Sequence, residues 1–206
     1  MLALLAACGD DEPSADPEAD QAAVEAAVLT VDDLPDGFTA TEADDPDEDG
    51  SLDRCLDEVA GISEADLDEA RTARTAPMQF DSQTTQLRAR VNAFESEDLP
   101  EDVIDAFEDD EFTDCVEAGV ADEMTEADVE MTAFEVLDPS FGPSDAVAYD
   151  LRLGLVADGT DVDSRLMALL VGRYVVSLES TALAGQEDEQ LLIESIETMA
   201  GRLPDE

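Results

Sequence analysis

Ala146 to Ala182 constrains this chain more than any other stretch. From Ala146 to Val156 side chains alternate strictly. Val147, Tyr149, Leu151, Leu153 and Leu155 fall on one face and Ala148, Asp150, Arg152 and Gly154 on the other, the period-2 signature of a strand. Asp158-Gly159 turns that strand into a second, Val162 to Val171. Gly172-Arg173 places glycine first in a two-residue loop, the mark of a tight hairpin, and Tyr174 to Ala182 returns. Three hairpin-linked strands commit the chain to an antiparallel sheet.

The flanks are predicted to be mixed. Before the meander come a helix from Gln21 to Leu29, a turn at Asp33 to Gly37 and a short strand, Phe38 to Thr41. A helix capped by Ser51 and ended by Gly61 follows, then strands at Ala73 to Asp81 and Gln86 to Glu95. Helices at Glu101 to Asp109 and Glu111 to Gly119 precede a strand at Val129 to Leu137. An amphipathic helix, Glu187 to Ala200, closes the chain. The expected class is α+β, an antiparallel β-sheet with helices packed mainly on one face.

Leu5-Ala6-Ala7-Cys8 reads as a lipobox, the site where a bacterial signal peptide is removed and a cysteine thiol takes a diacylglycerol. Residues 1–7 then form the remnant of a signal peptide. Its apolar run is short and no Lys or Arg precedes it, so the expected start lies upstream of Met1. Residues 8–20 form an acidic, proline-containing tether that cannot bury a core, and residues 21–206 form a single α+β domain. The expected location is extracytoplasmic, at a membrane held through Cys8.

Charge narrows the partners. The chain has 56 acidic and 9 basic residues, a net charge of −47; every basic residue is Arg, and there is no His. Acid is dispersed along the chain, as on proteins adapted to high salt, where screening shortens electrostatic reach to about 3 Å at 1 M. Nucleic acid and anionic headgroups would be repelled. The absence of His removes the usual general base and imidazole metal ligands, and the absence of Lys removes Schiff-base chemistry. A carboxylate pair could still serve a hydrolase, but the reading is non-enzymatic.

Cys55 and Cys115 remain as an even pair. Both sit on helical apolar faces, with Leu52, Leu56 and Val59 around one and Phe112 and Val116 around the other. In an oxidising compartment they are a candidate disulfide; buried free thiols are the alternative.

Two further groups are candidates for binding. Arg88, Arg90, Arg152 and Arg165 all fall on predicted strands. They offer planar forks to an anionic ligand, or ordinary pairing with neighbours such as Asp150 and Asp163. Asp45, Asp47, Asp49, Gly50 and Asp53 follow calcium-loop spacing, but Leu56 stands where the bidentate Glu belongs. A solvated acidic loop is the simpler reading, and no other cofactor is expected. Asp158, Asp161 and Asp163 form a weaker cluster in a hairpin turn.

Thr30-x-x-Asp33-Leu34-Pro35-x-Gly37-Phe38, the spaced Cys55 and Cys115, and the late meander ending in a helix together resemble the PknH-like extracellular sensor domains of actinobacteria. That family includes free-standing lipoproteins. A second cysteine pair that members often carry is missing here. The resemblance implies a domain that binds or senses a ligand in a sheet-lined cleft. The ligand is a small molecule or an envelope component of unknown identity. A purely structural envelope protein and a carboxylate-dependent hydrolase are the competing readings.

Overall fold

The computed structural model describes residues 16–43, 51–143 and 147–204. Eight strands form one antiparallel sheet in the order β1-β3-β4-β8-β7-β6-β5, with β2 also pairing β4. They are β1 (Thr39–Glu42), β2 (Arg71–Arg74), β3 (Met78–Asp81), β4 (Thr85–Phe94), β5 (Val129–Val136), β6 (Ala148–Ala157), β7 (Thr160–Val171) and β8 (Tyr174–Leu183). The helices are α1 (Pro17–Ala27), α2 (Ser51–Cys55), α3 (Glu64–Ala70), α4 (Asp98–Asp105), α5 (Asp110–Glu126) and α6 (Glu189–Ala200). The α+β class and the antiparallel meander are as the sequence predicts.

The β6–β7 and β7–β8 turns use the backbone freedom expected of them. Asp158 and Gly159 both adopt positive φ, 51° and 75°, while in the second turn Gly172 does so at 54°. Both loops are two residues long, with Ala157 opposite Thr160 and Val171 opposite Tyr174.

The predicted strand Ala73 to Asp81 is two strands. Pro77 has no N–H to give a ladder, and β2 and β3 line up along successive halves of β4. Thr75 bridges the break. Its N–H donates to the Val91 carbonyl at 3.0 Å, and its Oγ1 accepts the Val91 N–H at 3.0 Å. The hydroxyl stands in for the missing strand residue, so no polar backbone group of Val91 is stranded.

The helices do not lie on one face. α1 and α6 cover one side, where Val24, Ala27, Ile196 and Met199 meet Leu87, Val91, Val176, Leu178, Met167 and Leu169. α2, α4 and α5 cover the other, where Leu56, Ile104, Phe112 and Val116 meet Tyr149, Leu151, Leu166 and Leu170. The cause is in β7. Leu166-Met167-Ala168-Leu169-Leu170-Val171 is a continuous apolar run, and such a run demands cover on both faces. The two layers are offset. The first lies over β4, β8 and β7 and the second over β5, β6 and β7.

The second layer is clamped internally. Cys55 and Cys115 form a disulfide with Cα atoms 5.9 Å apart, joining α2 to α5. One turn from the bridge on each helix, Gly119 of α5 faces Ser51 at the start of α2. A Cβ on Gly119 would stand 2.5 Å from the Ser51 Cβ, so only glycine permits this approach. The carboxylate of Glu123 then accepts the Ser51 N–H at 2.6 Å, capping the start of α2 from across the helix pair.

Thr30 and Asp33 have a structural role. Asp33 accepts from the Thr30 N–H and Oγ1, each at 2.8 Å, and also from Arg202 just beyond α6. The Thr30-x-x-Asp33 motif therefore pins the early turn to the C-terminal helix. These bonds, led by that from Arg202, hold the Asp33 carboxyl below the usual range.

Candidate functional site

A cleft of about 670 Å³ opens where β5 ends and the chain passes through residues 137–143. Ile104, Phe107, Val136, Leu137, Phe141 and Val147 form its apolar wall; Asp105, Glu108, Asp138 and Asp150 supply its charge. The volume lies within the range of ligand sites, roughly 300–1,000 Å³. Strand register explains the opening. β5 pairs with β6 only as far as Val136 opposite Leu151, with Leu137 N–H reaching the Asp150 carbonyl at 2.8 Å. N-terminal to that point, Ala148 and Tyr149 of β6 have a strand neighbour on the β7 side alone among the described residues.

Tyr149 is the polar group that stands out. It is 3% exposed, lines the cleft, and stacks on Phe107 with ring centroids 3.6 Å apart. Phe107 in turn meets Phe112 edge-on at 4.8 Å. The Tyr149 hydroxyl has no hydrogen-bond partner among the described residues. Burial first, and the Asp150 charge second, push the phenol pKa well above its ordinary value, so it is a donor at any physiological pH. Tyr149 also lines a second, apolar cavity of about 180 Å³ beneath α2 and α5.

The four strand arginines do not converge. Arg88 and Arg90 lie on one face of the sheet, sharing a hollow of about 120 Å³ with Asn92, Ser177 and Glu179. Arg88 donates to Gln79 at 3.4 Å. Arg152 and Arg165 lie opposite each other on the other face. Arg152 reaches Asp163 at 3.3 Å. Arg165 is 4% exposed and grips Asp150 bidentately, Nε to Oδ1 at 2.8 Å and Nη2 to Oδ2 at 2.6 Å. Glu189 at 3.4 Å and Glu187 at 3.9 Å approach it from the start of α6. Arg165 therefore has more carboxylates than it can neutralise, and it serves as a structural pair. Strand parity caused the difference: Arg88 and Arg152 occupy positions of opposite parity relative to the shared ladder.

A second buried pair escaped the sequence reading. Asp20 of α1 is 1% exposed and accepts from Arg173 in the β7–β8 turn, from Thr72 Oγ1 at 2.6 Å and from Tyr174 at 3.4 Å. Arg173 Nη1 also donates to the Phe94 carbonyl at 2.8 Å. The Arg173 hydrogen bonds outweigh burial and lower the Asp20 pKa. The contact is therefore complete at neutral pH and lost only when acid protonates Asp20 below the usual carboxylate range. It fixes α1 to the sheet, and because α1 begins at Pro17, residues 17–20, expected in the tether, belong to the folded domain.

The other expected residues lie elsewhere. Cys8, Asp45, Asp47 and Asp49 fall outside the described residues. Asp53 sits on α2. Asp158 serves its turn, and Asp163 accepts from Arg152 and from the Gly185 N–H at 3.1 Å. Among the described residues no group of three metal-ligating side chains comes together, and no helix is long and apolar enough to cross a membrane.

No family model and no curated protein matches the chain. Solved structures do. The extracellular domain of PknH from Mycobacterium tuberculosis matches over 88% of this chain and 95% of its own, at 12% identity and a TM-score of 0.52. LpqN, a protein of Mycobacterium tuberculosis described as involved in cell envelope biogenesis, matches 61% of this chain and 68% of its own, at 11% identity and a TM-score of 0.31. The cleft, the two-faced sheet and the helix pair thus belong to a chain that shares the fold of the extracellular domain of PknH.

Proposed function

We propose that this protein is an extracytoplasmic envelope lipoprotein. In this reading Cys8 carries the lipid, the acidic segment between Cys8 and α1 forms the tether, and the folded domain binds a ligand in the cleft beside β6. The observation that carries the binding role is the cleft itself: about 670 Å³ of concave surface with Ile104, Phe107, Phe141 and Tyr149 among its lining residues. The likeness to an extracellular domain supports the location, and the lipobox supports the anchor. We read the role as non-enzymatic: with no His and no Lys, carboxylates are the acid–base groups left to the chain.

Native mass spectrometry of protein extracted from its own membranes tests the binding role. Wild type is expected to carry a non-covalent small-molecule adduct. Val136→Trp should lose it, because Val136 lines the cleft and is 41% exposed, so a larger side chain can fill the space without disturbing the core. Wild type without an adduct, or an adduct that survives in Val136→Trp, would count against the cleft as a binding site.

A further inference from the structure

We propose that the apolar chamber beneath α2 and α5 is a binding site in its own right, for an uncharged ring or short alkyl group of about six carbons. The site is distinct from the cleft and does not depend on the cleft binding anything. Its lining, its rigid walls and its access to solvent together specify that ligand.

The lining sets the chemistry. Leu52 of α2 with Val116 and Val120 of α5 forms the roof, and Leu151, Leu153 and Leu166 of the sheet form the floor. Leu151 and Leu166 lie opposite each other on β6 and β7. Among the described residues, almost all of the surface turned to the chamber is hydrocarbon. Arg165 borders it but is held by Asp150, and the Ser51 N–H is held by Glu123. Water settles in a cavity only where it finds about two to four polar partners, and a charge entering here would give up its hydration without a match. The volume is about 180 Å³. A cavity of about 150 Å³ with walls of this kind takes benzene or xenon.

The walls explain why the chamber persists. Native interiors pack densely, and side chains relax into larger voids where they can. Here the roof helices cannot settle one at a time. The Cys55–Cys115 bridge and the close approach of Gly119 to Ser51 lock α2 and α5 to each other. An aromatic stack then spaces that locked pair from the sheet: Phe107 just before α5 and Phe112 on it meet each other edge-on, and Phe107 stacks on Tyr149 of β6. A preformed chamber spares a ligand the cost of opening one.

The chamber also has a way in. Leu52, Val120, Leu153 and Leu166 are partly exposed, whereas Val116 and Leu151 are buried. It therefore runs from surface to core, and a small molecule can enter without unfolding the layer.

The test uses benzene and benzoate, which share a ring and differ in charge. Each is titrated into the full chain while the Leu and Val methyl groups are followed by NMR. Benzene should shift the methyls of Val116, Val120, Leu151 and Leu166 saturably, with a Kd of about 1 mM or tighter. Leu87, Val91 and Val176, which belong to the other core, should stay in place. Benzoate should bind at least about tenfold more weakly. Val120→Phe puts a ring of its own into the chamber from a partly exposed position, and should weaken benzene at least about tenfold.

Absent or unsaturable shifts in the wild type, shifts spread equally over both cores, or benzoate as tight as benzene would overturn the assignment, and none of these readings needs a variant. Unchanged benzene affinity in a folded Val120→Phe would overturn it as well. Should that variant fail to fold, Leu153→Phe fills the same space from the sheet side and is read in the same way.

Discussion

Arg165→Met is expected to destabilise the domain by about 3–5 kcal/mol, the usual penalty for leaving one member of a buried ion pair without its partner. Asp150 is 1% exposed and receives two bonds from Arg165. Once the guanidinium is gone, that carboxylate is charged, buried and held by nothing comparable. For a chain of this size the melting temperature should fall by roughly 10 °C. Asp150→Asn should cost less, because Arg165 keeps Glu187 and Glu189 within reach. Thermal melts of the two variants check both the size and the order. Equal losses, or a loss under about 1 kcal/mol for Arg165→Met, would show that the pair is not what holds β6, β7 and α6 in place.

Removing the Cys55–Cys115 bridge is expected to cost about 4 kcal/mol in the chain-entropy account, since it closes a loop of 60 residues. A double Cys→Ser variant, unfolded in urea beside the oxidised protein, measures this directly as a lower midpoint. The loss should appear mainly around α2 and α5. There Gly119 and Ser51 approach so closely that a displaced helix cannot easily find an alternative packing. Amide exchange should therefore show α5 opening before β4 and β8, which belong to the other core.

Much of this architecture was legible in the residues, and the failures have identifiable causes. Period-2 alternation found β6, and Gly172 found the β7–β8 turn. The cysteines were paired from count, compartment and helical spacing. Helices cover both faces, not mainly one, for a reason the sequence contains. The apolar run Leu166 to Val171 already announced a strand covered on both sides. The split at Thr75–Pro77 was marked by its proline. α3 went unnoticed because Glu64–Ala70 presents Leu67 as its only large apolar residue.

The site was less legible than the fold. The four arginines divide between the two faces, two on each, because alternation along one strand says nothing about which face its neighbour presents; that depends on register, and register is a long-range property. Tyr149 reads as one more apolar-face strand residue until the end of β5 at Val136 is known. The cleft is made where a strand stops, and its walls come from residues 104 to 150. The Asp20–Arg173 pair spans 153 positions and carries no local signature.

The proposal with the widest consequences is that this domain works outside the cytoplasm, tethered through Cys8. Mass spectrometry of the N-terminal peptide from protein made in its own cells tests it most directly. The expected peptide begins at Cys8 and carries the mass of a diacylglycerol on the thiol. A peptide that runs unmodified through Ala7 and Cys8 would contradict it.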